Sequence, residues 1–187
     1  MNSEIFRQRF TLLLPPGTPS ALPEGREAAV LVPIVMSPEP RLLLTRRAAH
    51  LRHHPGQVAF PGGKREPADR SLIQTALRET CEELGLNSRQ IEVIGTLPPV
   101  SSQTGFRVTP VVALIAPGTP LRPDPAEVAL SFEVPLTQLL SPANFFRLDV
   151  QRNGQNHSVW VVDYQKHFIW GMTAGIIRSL GKQITGE

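Results

Sequence analysis

Apolar residues in this chain gather into short runs broken by glycine and proline, which predicts a series of strands with helices between them. AAVLVPIVM (28–36) is a continuous apolar run and predicts a buried strand. PEPR makes a turn, LLLTRR (42–47) predicts a second strand, and QVAFPGG (57–63) predicts a third short one ending in a glycine turn at Gly62 and Gly63. Further strands are expected over IEVIGTL (91–97), FRVTPVVALIA (106–116) and HSVWVVDY (157–164), the last after a turn at RNGQ (152–155). Helices are expected near the N-terminus, from about Ser71 to Leu84, over LTQLL (136–140) and, as a closing amphipathic segment, over 168–184. Residues 11–27 and 117–125 are too rich in proline and glycine for either element. Strands flanked by helices in this order predict an α/β or α+β sandwich around one mixed sheet.

The helix at 71–84 carries the densest chemistry. At 3.6 residues per turn, Leu72, Ile73, Ala76, Leu77, Thr80, Cys81 and Leu84 share a mostly apolar face. Gln74, Thr75, Arg78, Glu79, Glu82 and Glu83 fill the other. Glu79 lies three residues from Glu82 and four from Glu83, so the three carboxylates converge and repel. A solvated helix face is one reading. The other is a cage for a hard, oxygen-seeking cation, entered through the Phe-Pro-Gly-Gly turn and closed at Gly85.

Residues 62–86, GGKREPADRSLIQTALRETCEELGL, resemble the Nudix box, G-x5-E-x7-R-E-U-x-E-E-x-G-U with U aliphatic. The second half fits from Arg78 to Leu86. The first half, counted from Gly63, is one residue longer than the pattern, so Asp69 and Arg70 straddle the slot of its first glutamate. Thr80 stands where an aliphatic residue is usual. Upstream, the chain matches L-L-T-x-R-(S/A)-x3-R-x3-G-x3-F-P-G-G at Leu43, Leu44, Thr45, Arg47, Ala48, Arg52, Gly56, Phe60, Pro61, Gly62 and Gly63. That second pattern is similar to the one marking the coenzyme A pyrophosphatase branch of the Nudix superfamily.

The resemblance implies a Nudix-type α/β/α sandwich with a mixed β-sheet over 28–187, preceded at 1–27 by an N-terminal helix and an irregular lead-in. It implies Mg2+ or Mn2+ held by Glu79, Glu82 and Glu83, with Arg78 orienting them. It also implies a base at Glu79 or at Glu127, which follows the proline-rich loop ahead of Glu133. Arg47, Arg52, Gly62 and Gly63 are expected to meet the substrate, since arginine grips phosphate bidentately and glycine admits close backbone approach. His53 and His54 lie in the same stretch, where surface or packing roles compete with phosphate contact. The implied reaction is hydrolysis of the coenzyme A diphosphate to 3′,5′-ADP and 4′-phosphopantetheine. NADH or ADP-ribose as substrate, a non-catalytic nucleotide-binding module, and an RNA-directed role are the competing readings.

Composition narrows these only slightly. Sixteen of the 19 basic residues are arginine, but the net charge of +3 gives nucleic acid no support. The single cysteine, Cys81, rules out an internal disulfide and is expected to be a buried thiol. No apolar run reaches the roughly 18 residues of a membrane span, and the N-terminus lacks a secretory pattern, so a cytoplasmic protein is expected. The apolar closing helix is a candidate homodimer surface.

Overall fold

The apolar run at 28–36 becomes the central strand of the molecule. The computed structural model describes residues 2–13, 26–152 and 154–186, so most of the expected lead-in and part of the expected turn at 152–155 lie outside the described residues. In chain order the elements are α1 (Ser3–Leu12), β1 (Arg26–Val35), β2 (Arg41–Arg47), β3 (Val58–Ala59), β4 (Gly62–Lys64), α2 (Leu72–Leu84), β5 (Ile91–Thr96), β6 (Val100–Ser101) and β7 (Phe106–Ile115). They continue as β8 (Val128–Pro135), α3 (Leu136–Leu139), β9 (Phe145–Arg152), β10 (Gln155–Tyr164), β11 (His167–Trp170) and α4 (Met172–Thr185).

β1 pairs in parallel with β7 along its whole length and antiparallel with β2 and β4. The main sheet therefore runs β3-β2-β1-β7-β5, with β4 on β1, β6 on β7 and β8 on β2. Successive side chains of β1 alternate between two cores, as a pleated strand requires. Ala29, Leu31 and Val35 face α2 together with Leu43, Val111, Ala113 and Leu84. Val32 and Ile34 face the opposite layer, built from α1, α3, α4 and the antiparallel sheet β11-β10-β9. The result is a mixed sheet between helical layers, the expected α/β/α sandwich.

Three expectations need correction. FIW at 168–170 is the strand β11 rather than the start of the closing helix. Gly171 breaks the chain there at φ 65°, and α4 begins at Met172. β8 and β9 were not foreseen. β8 is exposed at Ala129 and Leu130, so its apolar pattern is diluted, and it follows a proline-rich loop. Cys81 is exposed, and so is Ile73, while Thr75 and Glu83 are buried. α2 is rotated relative to a simple apolar-in reading because the sheet and the loop before β8 both cover the side that carries Glu83. Thr80, also buried, satisfies its hydroxyl by donating to the Ala76 carbonyl at 2.7 Å.

Candidate active site

α2 is fixed at both ends. The Ser71 hydroxyl accepts from the Gln74 amide at 3.2 Å, an N-cap. Gly85 ends the helix in the left-handed region at φ 66°, its N–H donating to the Cys81 carbonyl. The proline-rich loop then docks on this end. Arg122 N–H donates to the Leu84 carbonyl at 2.8 Å and Asp124 N–H to the Glu83 carbonyl at 2.9 Å. Both are carbonyls that a helix end leaves unpaired. Glu127 is thereby held beside Glu83. Its carbonyl accepts from the Ala48 amide at 2.8 Å, and His50 Nε2–H donates to the Ala126 carbonyl at 2.9 Å. His50 was not singled out from sequence, because the bond depends on chain positions that only the fold brings together.

Glu83 is 4% exposed. Burial pushes its carboxyl up to about 8, and the charges of Glu127 and Glu79 push the same way. Arg47 and the Gly62 amide offset part of this. Burial also raises the Glu79 carboxyl, against the pull of Arg78. Gly63 is where Glu79 touches the backbone: a Cβ there would come within 2.6 Å of Glu79 Oε2. At Gly62 a Cβ would come within 2.6 Å of Val30 Cα, so β4 lies flush on β1 only because no side chain intervenes. Glu82 is exposed and turned towards Arg78.

Arg78 ties these groups together. Its Nε and Nη2 grip the two oxygens of Asp69, each at 3.1 Å. Nη2 also donates to the Lys64 carbonyl at 3.0 Å, and Nη1 donates to Glu79 Oε1 at 3.0 Å and to Glu82 Oε1 at 3.4 Å. Asp69 is buried and accepts further bonds from the Glu66 amide and the Thr75 hydroxyl, both at 2.9 Å. The Arg78 guanidinium, and after it the Glu66 amide, hold the Asp69 carboxyl far below the usual carboxylate range. Asp69 is thus the acid that meets Arg78, while Arg70 stays exposed. The longer first half of the box supplies this acid one position early.

Arg47 lies at a register shift between β2 and β8, opposite Val128 and so next to Glu127. Its Nε is buried with no partner among the described residues, and its charge favours the ionised form of Glu83. Arg52, His53 and His54 are exposed in the loop between β2 and β3. Arg52 makes no hydrogen bond or ion pair among the described residues. Glu133 is likewise elsewhere, paired with Arg41 at 3.1 Å on the sheet edge.

Among the described residues, no three His, Cys, Asp or Glu side chains are already gathered around one point. Arg78 binds both Glu79 and Glu82, and Glu83 is tucked under Gly62. The donor set nevertheless fits a hard divalent cation. It offers carboxylate oxygens only, and the ionised form of Glu83 is penalised by burial and by Glu127 and Glu79. A bound cation removes that penalty.

The fold is a mixed sheet bearing a carboxylate-lined helix against a glycine turn. The chain belongs to the NUDIX domain family, whose model matches residues 25–161. It is 51% identical to a protein of Photorhabdus laumondii described as "Uncharacterized Nudix hydrolase NudL", over 96% of either chain. A protein of Cronobacter sakazakii with the same description is 54% identical over 96% of this chain and 93% of the relative. Among solved structures, a Nudix hydrolase from M. smegmatis, RenU, superposes with TM-score 0.52 at 28% identity, covering 60% of this chain and 72% of that one. A MutT/nudix family protein from Enterococcus faecalis gives TM-score 0.53 at 20% identity over 90% of this chain and 66% of that one, a likeness of fold alone. No helix among the described residues is long and apolar enough to cross a membrane.

Proposed function

We propose that this protein hydrolyses the diphosphate bond of coenzyme A or a derivative, giving 3′,5′-ADP and 4′-phosphopantetheine. The relatives are described as Nudix hydrolases, and the upstream pattern at 43–63 narrows the substrate. The observation that carries the reading is Arg47. It is a fixed position of that pattern, its charge favours the ionised form of Glu83, and its buried Nε has no partner among the described residues. A guanidinium with a free buried donor beside a carboxylate site suits an incoming diphosphate oxygen.

Glu79, Glu82 and Glu83 would hold Mg2+ or Mn2+, which when bound offsets charge on the diphosphate and lowers the pKa of the attacking water. Arg78, pinned by Asp69, sets where Glu79 and Glu82 point. Gly62 and Gly63 bring backbone against these carboxylates. Proton removal falls to Glu79 or to Glu127. Glu127 has the better access: it is exposed, whereas Arg78 already holds Glu79.

The test is incubation with coenzyme A, with and without Mg2+ or Mn2+, followed by separation of the products. Metal-dependent 3′,5′-ADP is expected, and Glu83→Gln is expected to lower kcat by about 100-fold or more. Full turnover by that variant at saturating metal would refute the carboxylate scheme. Cleavage of NADH or ADP-ribose in place of coenzyme A would refute the substrate.

A further inference from the structure

The antiparallel sheet β11-β10-β9 ends in a strand with one side open. β9 pairs with β10 along its eight residues, Phe145–Arg152, and with no other strand among the described residues. Its outward N–H and C=O groups are therefore a template for a further strand. Proteins commonly blunt such edges with proline, lysine or a bulge. β9 has none of these, for FFRLDVQR pairs without a break. β5, at an edge of the main sheet, is by contrast interrupted between Val93 and Gly95.

The pleat divides the β9 side chains into two sets. Phe146, Leu148 and Val150 share one face, where Val161 and Val159 of β10 stand opposite the first two. Phe146 is 43% exposed and Leu148 41%. Arg147 and Asp149 share the other face, and both are exposed. Neither forms an ion pair among the described residues. Arg147 rests over the Trp160 ring, with Cζ 5.4 Å from its centroid. Opposite charges thus flank Leu148 on an open, apolar edge. The closing helix leaves no comparable face, because Ile176, Ile177, Leu180 and Ile184 are buried in the chain's own core.

We infer that a second copy of this chain pairs with β9 edge to edge and antiparallel, about a two-fold axis through Leu148. An axis normal to the sheet keeps each face continuous, so a residue meets one of its own face in the partner. The register centred on Leu148 sets Arg147 against the partner's Asp149, and Asp149 against the partner's Arg147. Moving the centre by one residue brings two arginines or two aspartates together, which is unfavourable. The charges therefore select one register. On the other face, Phe146 meets the partner's Val150, and the two Leu148 side chains meet on the axis. No residue of β9 belongs to the carboxylate site, so this inference stands apart from the proposed reaction.

An interface built on one strand edge is small, so a weak, concentration-dependent dimer is expected. Sedimentation velocity on the full chain, from roughly 1 to roughly 200 µM, should show the boundary moving from monomer to dimer. Arg147→Asp and Asp149→Arg each set like charges against each other at both cross-strand positions. Either should weaken association by about 10-fold or more. Mixing the two variants again sets an acid against a base at every position, and association should return close to that of wild type. Leu148→Lys, which brings two cations together on the axis, should leave a monomer. All three positions are exposed, and unchanged melting temperatures would confirm that the variants are folded. A wild-type chain that stays monomeric throughout the series overturns the inference. So does association unchanged in both single variants, or a mixture that associates no better than its components.

Discussion

At the scale of single residues, Glu83 is the group whose behaviour most depends on its surroundings. Its ordinary value in an unfolded chain is about 4.3, and burial raises it to about 8 in the fold. A raised carboxyl binds its proton more tightly when folded, so its contribution to stability is fully present below about pH 4.3 and is lost as pH rises through about 8. In metal-free protein, the melting temperature of wild type relative to Glu83→Gln should therefore fall between pH 5 and pH 8. Added Mn2+ should raise the wild-type melting temperature more at pH 8 than at pH 6, since binding requires the ionised carboxylate. A difference that stays flat with pH in thermal melts would show that Glu83 is not buried as the fold places it. The sequence announced this residue as one of three equivalent glutamates. It gave no sign that Glu83 is buried while Glu82 is exposed, because that asymmetry comes from the loop that closes over the end of α2. Asp69 was legible only as half of an irregular spacing. Which acid meets Arg78 depends on the path of the 65–70 loop.

At the scale of elements, the contact between β4 and α2 sets the geometry of the site, and its two glycines serve different ends. A Cβ at Gly62 meets backbone of β1, which cannot move without breaking the β1–β4 pairing. Gly62→Ala should cost about 3 kcal/mol or more of stability, the range of severe overpacking. A Cβ at Gly63 meets the end of the Glu79 side chain, which can swing aside. Gly63→Ala should leave the melting temperature within a few degrees while lowering kcat by about 100-fold, as a displacement of roughly 1 Å in a reacting group does. Denaturant melts and steady-state kinetics on the two variants test the distinction. Equal effects of both substitutions on stability would remove it. The element pattern was readable wherever a strand is covered on both faces, as in β1 and β7, whose apolar runs are continuous. It failed where exposure breaks the run, as in β8, and where a strand leads into a helix through one glycine, as at Gly171.

At the scale of the whole molecule, the matched family region stops inside β10, and both α1 and α4 lie outside it. The physical unit does not stop there. Phe6 and Phe10 of α1 are buried in the same core as Val32, Val112, Ile177 and Leu180, the last two from α4. The side-chain amide of Gln183 on α4 donates to the carbonyls of Phe10 and Leu13, fastening the end of α1 to the last helix. The two terminal helices thus seal the sheet face opposite the carboxylates, and their loss would expose the apolar face that β1 and β7 turn away from α2. Replacing either phenylalanine with alanine should cost about 3–5 kcal/mol. Because the rings stack 6.2 Å apart, the double variant should cost less than the sum. For a chain of this length the double variant should still melt about 10 °C or more below wild type. Amide exchange in α4 should accelerate together with that in α1, since each helix covers the other. An unchanged melting temperature, or exchange that quickens in α1 alone, would make α1 an appendage, with the second core complete without it.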